Sequence, residues 1–165
     1  MTGGGPGLME AANRGAKDVG GRSIGCNIVL PVEQEPNPYL DRWVHIKFFF
    51  IRKILLVKYS YAFIVMPGGF GTLDEYFEAL TLIQTNKIKD FPIIVFNKDY
   101  HQDITNHIDK MEKEGTISKE DKKMYLITDS IEEAVEMIKK RCITEHHLST
   151  KKPFTPLRWL LEPKF

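Results

Sequence analysis

The chain alternates short, continuous apolar runs with stretches whose apolar residues recur at helical spacing, and this alternation constrains the fold more than any other feature. Strands that are apolar throughout are covered on both faces, which is typical of parallel sheets with helices packed against them. The sequence therefore predicts an α/β protein with a doubly wound parallel sheet. The predicted strands are 23–30, 62–66, 92–97 and 125–128, and the predicted helices are 6–20, the stretch from the turn after 66 to about Asn86, 103–115 and 130–142. A basic and apolar segment, 46–61, is predicted to begin extended and to end as a helix.

Composition and charge exclude several classes of function. The 165 residues suffice for one globular domain with a core, and 42% hydrophobic and 27% charged residues are ordinary for a soluble protein. A net charge of +1 argues against nucleic-acid binding through a broad basic surface. No apolar segment approaches the roughly 20 residues that cross a bilayer, and the first ten residues lack a signal-peptide pattern. Cys26 and Cys142 stand alone, so we expect reduced thiols, no metal site and a cytoplasmic protein.

Two glycine-rich turns lie where helices are predicted to begin, 3-GGGPG-7 and 67-PGGFGT-72. Glycines let the backbone approach a ligand closely, and the free N–H groups at a helix N-terminus attract anions. Because ligands of α/β proteins gather at the ends of strands, the two turns indicate a phosphate-bearing ligand. Neither turn matches the P-loop or the dinucleotide-binding pattern. The candidate contacts are Gly4, Gly5, Pro67, Gly68, Gly69, Gly71 and Thr72.

Glu75 has two interpretations that stay open at this point. The spacing Thr72-x-x-Glu75 fits a capping box, in which Thr72 caps an amide of the first turn and Glu75 returns to the cap N–H. Spacing alone favours this interpretation. In the second interpretation Glu75 points into the cleft and contacts ribose hydroxyls or a developing cation. Asp74 is expected to be a solvated first-turn acid that complements the helix dipole.

Arg52 and Lys53 lie inside the apolar run 48-FFFIRKILLV-57. A cation in such a run must extend to the surface or find a partner. Either the side chains snorkel or pair with a nearby acid, or Arg52 forks onto a phosphate or carboxylate in the cleft. Lys53 is the weaker candidate for a ligand contact.

Several stretches of the chain resemble the bacterial branch of the Lonely Guy (LOG) family. PGGFGTLDE matches the family signature PGGxGTxxE, and the resemblance extends to TGGGPGLMEAANRGA, SIGCNIVLPVEQEPNPYLD, FFFIRK and FEALTLIQTNKI. It covers residues 1–142, which we expect to form one domain. Residues 143–165 lie outside the pattern and are expected to form a C-terminal extension that packs on its own chain or on a neighbour.

The resemblance implies a Rossmann-like fold with helices on both faces of the sheet, in a homodimer or larger homo-oligomer with sites near subunit interfaces. It also implies hydrolysis of the N-glycosidic bond of a nucleoside 5′-monophosphate, such as AMP or a cytokinin riboside 5′-monophosphate, without a cofactor. The family's catalytic pair falls on Arg52 and Glu75. Its phosphate and ribose contacts fall on Gly68, Gly69, Gly71 and Thr72.

The family pattern includes a first strand and helix before TGGG, and the sequence lacks this segment. We therefore expect an exposed sheet edge or a gap beside the first glycine turn. The nucleotide pocket is expected to lack one wall unless a partner chain or the tail covers it.

Three other functions stay open on the sequence. A nucleotide-binding or molybdenum-cofactor-binding carrier on the same fold, without hydrolysis, is the main alternative. Lysine decarboxylation, an older name in this family, would need a Schiff-base lysine for pyridoxal phosphate, and Lys53 is the only lysine near the glycine turns. A structural role, with the tail as a docking element, is the third.

Overall fold

The structure, a computed structural model, describes residues 1–30, 35–89 and 91–145. Most of the predicted extension, residues 146–165, lies outside these ranges. None of the helices within them is long and apolar enough to cross a membrane. In chain order the elements are α1 (Leu8–Asp18), β1 (Ile24–Ile28), β2 (Arg42–Ile46), α2 (Phe49–Lys58), β3 (Phe63–Val65), α3 (Phe70–Gln84), β4 (Ile93–Phe96), α4 (Gln102–Lys113), a 3-10 helix (Asp121–Met124), β5 (Tyr125–Thr128), α5 (Ile131–Lys139) and a π-helical segment (Lys140–Glu145).

Every strand pair is parallel, which confirms the predicted α/β class. The strands form two sheets rather than the predicted single sheet, one with β1 and β2 and one with the order β3-β4-β5. Thr2 adds a bridge to β1 on the side away from β2, through hydrogen bonds to Ile24 and Cys26. In the described ranges no backbone pairing joins Thr2 to β3, so β3 is an edge strand. Ile64 on that strand is half-exposed, as expected for an open sheet edge.

The main core lies on the β3-β4-β5 sheet. Ile93, Ile94 and Val95 of β4 are at most 1% exposed, and because side chains alternate along a strand, both faces of β4 are covered there. On one face, residues of β3 and β4 pack against α3 and α4 through Val65, Ile93, Val95, Tyr76, Ala79 and Ile108. This packing fixes the start of α3 beside the carboxyl ends of β3 and β4.

The start of α3 corrects one interpretation of the sequence. Gly69 is the N-cap of α3, Phe70 is its first residue, and no side chain caps it. Thr72 and Glu75 therefore lie inside the helix, and the capping-box interpretation is wrong. At α5, by contrast, a side chain caps the helix, because Ser130 Oγ accepts a hydrogen bond from the backbone N–H of Glu133 at 3.1 Å.

Candidate active site

Arg52 and Glu75 form an ion pair between α2 and α3. Arg52 Nη1 donates to Glu75 Oε1 at 3.0 Å, and Arg52 Nε donates to the backbone carbonyl of Cys26 in β1 at 3.0 Å. The two side chains are only 14% and 22% exposed. The structure thus brings together the two residues on which the family's catalytic pair falls. Through them, β1 of the first sheet is joined to α3, which packs on the β3-β4-β5 sheet.

The guanidinium of Arg52 also lies against the first glycine turn. A Cβ added at Gly3 would lie 2.9 Å from Arg52 Nη2 and 2.8 Å from Met9 Sδ. A side chain at residue 3 would therefore displace the end of the Met9 or Arg52 side chain from its present position. Glu75, in turn, lies on the helix that follows the second glycine turn. The ion pair therefore spans the space between the two turns.

The charge balance at Glu75 is uneven. Burial raises the pKa of Glu75 above its ordinary value, and the Arg52 guanidinium beside it offsets only part of that rise. The neighbouring Asp74 carboxylate raises the pKa further. The ionised form of Glu75 is therefore poorly solvated in the free protein. A poorly solvated carboxylate interacts more strongly with an added positive charge than a fully hydrated one does.

Lys53 lies next to this pair and holds α2 to α3. Its Nζ is 3.2 Å from Asp74 and 3.3 Å from Glu78. Burial lowers the pKa of Lys53, but the hydrogen bonds to Asp74 and Glu78 raise it more, so the pKa is raised overall. Asp74 is paired rather than merely solvated. A Schiff-base lysine needs a neutral amine, and two carboxylates around Lys53 favour the opposite state.

The second glycine turn connects β3 to α3. A Cβ at Gly68 would collide with the Thr72 hydroxyl and lie 2.8 Å from Thr72 Cβ, whereas one at Gly69 or Gly71 would meet open space. Gly68 thus packs on the first turn of α3, and the backbone beyond it stays accessible. No local sequence pattern marks Tyr100, whose hydroxyl donates to the carbonyl of Gly68 at 2.9 Å. This partner lies 32 positions away in the chain.

The first glycine turn is held by a buried amide network that the sequence analysis missed. Asn37 Nδ2 donates to the carbonyls of Gly4 and Gly5 at 3.1 Å each, and to Asn13 Oδ1 at 2.9 Å. Gly4 has φ +80°, a conformation that favours glycine. Asn13 and Asn37 are 2% and 7% exposed. The only signal in the sequence was an asparagine between two prolines, at 36–38.

The fold and the site together define a class of protein. It is a parallel α/β protein in which a half-buried carboxylate and a guanidinium meet between two glycine turns. Within the described ranges, no group of three or more His, Cys, Asp or Glu side chains is arranged to hold a metal ion.

Comparison with known proteins assigns the family. A family model described as "Possible lysine decarboxylase" matches residues 9–138. The chain is 30% identical over 154 residues to the Arabidopsis thaliana proteins named cytokinin riboside 5′-monophosphate phosphoribohydrolase LOG3 and LOG4, with 90% of this chain and 70% of each relative covered. It is 27% identical over 139 residues to a Rhodococcoides fascians protein of the same enzyme name, with 81% and 68% covered. The chain belongs to the LOG family.

A methyl group at Gly68 should destabilise the protein through its contact with α3. We expect Gly68→Ala to lower the free energy of unfolding by about 1–3 kcal/mol, because the new Cβ would overlap the Thr72 side chain. Gly71→Ala is the matched control, since its Cβ would meet open space and alanine is more favourable than glycine inside a helix. Chemical denaturation of both variants measures the difference. Equal stabilities would contradict the close packing of Gly68 on Thr72.

Proposed function

We propose that the protein hydrolyses the N-glycosidic bond of a nucleoside 5′-monophosphate and releases the free base and ribose 5-phosphate. The observation that carries this proposal is the half-buried Arg52–Glu75 pair between two glycine turns. The names of its relatives, which are phosphoribohydrolases of cytokinin riboside 5′-monophosphates, support the same reaction class. We further propose that residues 1–142 form the domain with this activity and that 143–165 are an extension of it.

Glu75 is the proposed electrostatic catalyst. In the reaction, the bond between C1′ and the base nitrogen breaks and the base leaves with the bonding electrons. The oxygen of a water molecule bonds to C1′, and a proton from that water ends on the base. The ribose gains oxocarbenium character on the way, and a carboxylate beside it stabilises that positive charge and can orient the 2′- and 3′-hydroxyls or the water. Because burial already disfavours the ionised Glu75, the developing cation relieves a cost that the ground state carries.

Arg52 has a different proposed role. A guanidinium stays protonated at all relevant pH values, so Arg52 does not act as a proton donor. Nε and Nη1 are already committed to Cys26 and Glu75. Arg52 therefore fixes the carboxylate and presents the remaining edge of its guanidinium, beside Gly3, to the phosphate or to the leaving base.

The glycine turns are the proposed seat of the 5′-phosphate. Backbone N–H groups at the starts of α1 and α3 are free to bind an anion, and both helix dipoles favour negative charge there. Binding energy from the phosphate, remote from the bond that breaks, holds the ribose against Glu75. The proposed contacts are Gly4, Gly5, Pro67, Gly68, Gly69, Gly71 and Thr72, with Lys53 contributing positive charge next to Glu75.

The deciding experiment is incubation of the purified protein with AMP, other nucleoside 5′-monophosphates and a cytokinin riboside 5′-monophosphate. We expect release of free base and ribose 5-phosphate from at least one monophosphate, and no release from the matching nucleoside, because the phosphate positions the sugar. The same assay ranks the proposed substrates AMP and cytokinin riboside 5′-monophosphate. Binding of monophosphates by calorimetry without any release of base would instead support the carrier alternative.

In this assay Glu75→Gln should separate catalysis from binding. The amide keeps the size of the side chain but cannot stabilise a cation as a carboxylate does, so we expect kcat to fall by roughly 10²–10³-fold. Binding of AMP in calorimetry should persist, since the glycine turns are unchanged. Glu136→Gln, on an exposed position of α5, is the matched control. Wild-type kcat in Glu75→Gln would refute the proposed role.

The acid side of the pH profile provides an independent check. Glu75 must be ionised to act, and burial raises its pKa. Activity is therefore present above the raised pKa and lost as the pH falls through it. We expect kcat/KM to decline at a pH above the ordinary glutamate value of about 4.3. Circular dichroism over the same range controls for unfolding. Full kcat/KM down to the ordinary glutamate pKa would contradict the proposal.

We also propose a homodimer or larger homo-oligomer in the cytoplasm. The α2 apolar surface, defined as Phe49, Phe50, Ile51 and Ile54, is 38–61% exposed. Next to it β2 exposes Trp43 on one face and Val44 on the other, although strands of parallel sheets are normally covered on both faces. An apolar patch of this kind is typical of an interface, and a second copy is the proposed occupant. The unpaired Cys26 and Cys142 are consistent with a reducing compartment.

A charge within the α2 apolar surface should dissociate this assembly. We expect the wild-type chain to sediment as a dimer or larger species at micromolar concentration. Phe50→Glu should shift it towards the monomer, because the new carboxylate would be buried at the interface without a partner. Val19→Glu is the control, since Val19 is 84% exposed on a different helix end. A monomeric wild-type chain would refute the proposed assembly.

A further inference from the structure

The turn between β4 and α4, residues 97–101, carries a tyrosine to the second glycine turn. We name this segment the tyrosine loop. The Tyr100 hydroxyl donates to the carbonyl oxygen of Gly68 at 2.9 Å. Tyr100 is 54% exposed, so its ring contributes little to the core. The contact therefore needs an explanation other than packing.

The tyrosine loop is held in place by its own side chains. Asn97 has φ 78°, in the left-handed region, and its Oδ1 accepts a hydrogen bond from the backbone N–H of Tyr100 at 3.0 Å. His101 is 1% exposed, and its Nδ1 lies 3.0 Å from the carbonyl of Asn97. Because a carbonyl can only accept, Nδ1 carries the proton and donates. Two hydrogen bonds within the loop thus fix the backbone on both sides of Tyr100.

The atom that Tyr100 holds belongs to the most easily rotated peptide of the second turn. Glycines flank the Gly68–Gly69 peptide on both sides, so the peptide plane can rotate at little steric cost. In a planar trans peptide the C=O and the N–H point in opposite directions. Holding the Gly68 oxygen on the tyrosine loop therefore fixes the direction of the Gly69 N–H. A rotated peptide would present its carbonyl oxygen, rather than an N–H, to a bound anion.

We infer that Tyr100 is a positioning residue for the phosphate, because its hydroxyl locks the Gly68–Gly69 peptide with the amide towards the anion seat. This inference rests on the proposed function. Tyr100 acts through the glycine turn rather than by touching the bond that breaks. Its loss should therefore weaken phosphate binding and leave the chemical step intact.

The test compares Tyr100→Phe with the wild-type protein. Calorimetry with ribose 5-phosphate should show about tenfold weaker binding, the size expected for one lost neutral hydrogen bond. In the hydrolysis assay KM for the monophosphate should rise by a similar factor, with kcat within about twofold. Inhibition by adenine, which carries no phosphate, should stay unchanged. Tyr59→Phe is the matched control, because Tyr59 is 67% exposed at the end of α2.

The outcomes distinguish this inference from the proposed function. If the wild-type chain binds ribose 5-phosphate but hydrolyses nothing, weaker binding by Tyr100→Phe still supports the inference while the hydrolase proposal fails. If the wild-type chain hydrolyses monophosphates and Tyr100→Phe has unchanged affinity and KM, the inference fails while the function stands. If Tyr100→Phe also loses inhibition by adenine, the substitution causes a general structural defect, and the inference about Tyr100 is overturned. Absence of ribose 5-phosphate binding by the wild-type chain overturns it as well.

Discussion

The Arg52 side chain is the interaction on which the site depends. Its two hydrogen bonds reach the carbonyl of Cys26 in β1 and the carboxylate of Glu75 in α3, and its Nη2 lies beside Gly3. The two sheets share no backbone pairing in the described ranges, so this one side chain links elements that the sheets leave apart. A lysine at position 52 could not replace it, because a single ammonium cannot donate along the two fixed directions of a planar guanidinium.

The same contact sets the electrostatic state of Glu75. A half-buried carboxylate without a cation would protonate at moderately acidic pH, and a carboxylate fully neutralised by a close cation would interact weakly with a substrate. Arg52 engages one oxygen of Glu75 and offsets only part of the effect of burial. The pKa of Glu75 therefore stays raised even beside Arg52, and its ionised form would be stabilised by further positive charge nearby. This intermediate state suits the stabilisation of a transient cation better than either extreme would.

The sequence predicted most of the elements, because each strand or helix is encoded by its own local periodicity. It was less informative where a role depends on a helix boundary or on a distant partner. Thr72 and Glu75 have the spacing of a capping box, but they can form one only if Thr72 is the N-cap. Because α3 begins at Phe70, Thr72 lies inside the helix and does not cap it. Asn37 and Tyr100 act on Gly4 and Gly68 across more than thirty positions, and no local pattern marks such contacts. The division into two sheets also depends on pairing between distant segments, which periodicity does not encode.

The two glycine turns are supported in physically different ways, and this difference has a consequence for binding. The first turn is tied by the buried amides of Asn37 and Asn13, whose hydrogen bonds face little competition from water. The second turn is held by one hydrogen bond from the hydroxyl of a half-exposed tyrosine, so the loss of that bond leaves the Gly68–Gly69 peptide free to rotate. The first turn is thus fixed by several buried hydrogen bonds, whereas the orientation of the second turn depends on Tyr100. A ligand that bridges both turns would therefore bind best when Tyr100 holds the second turn in place, and Arg52, beside Gly3 and bonded to Glu75, lies between the two turns.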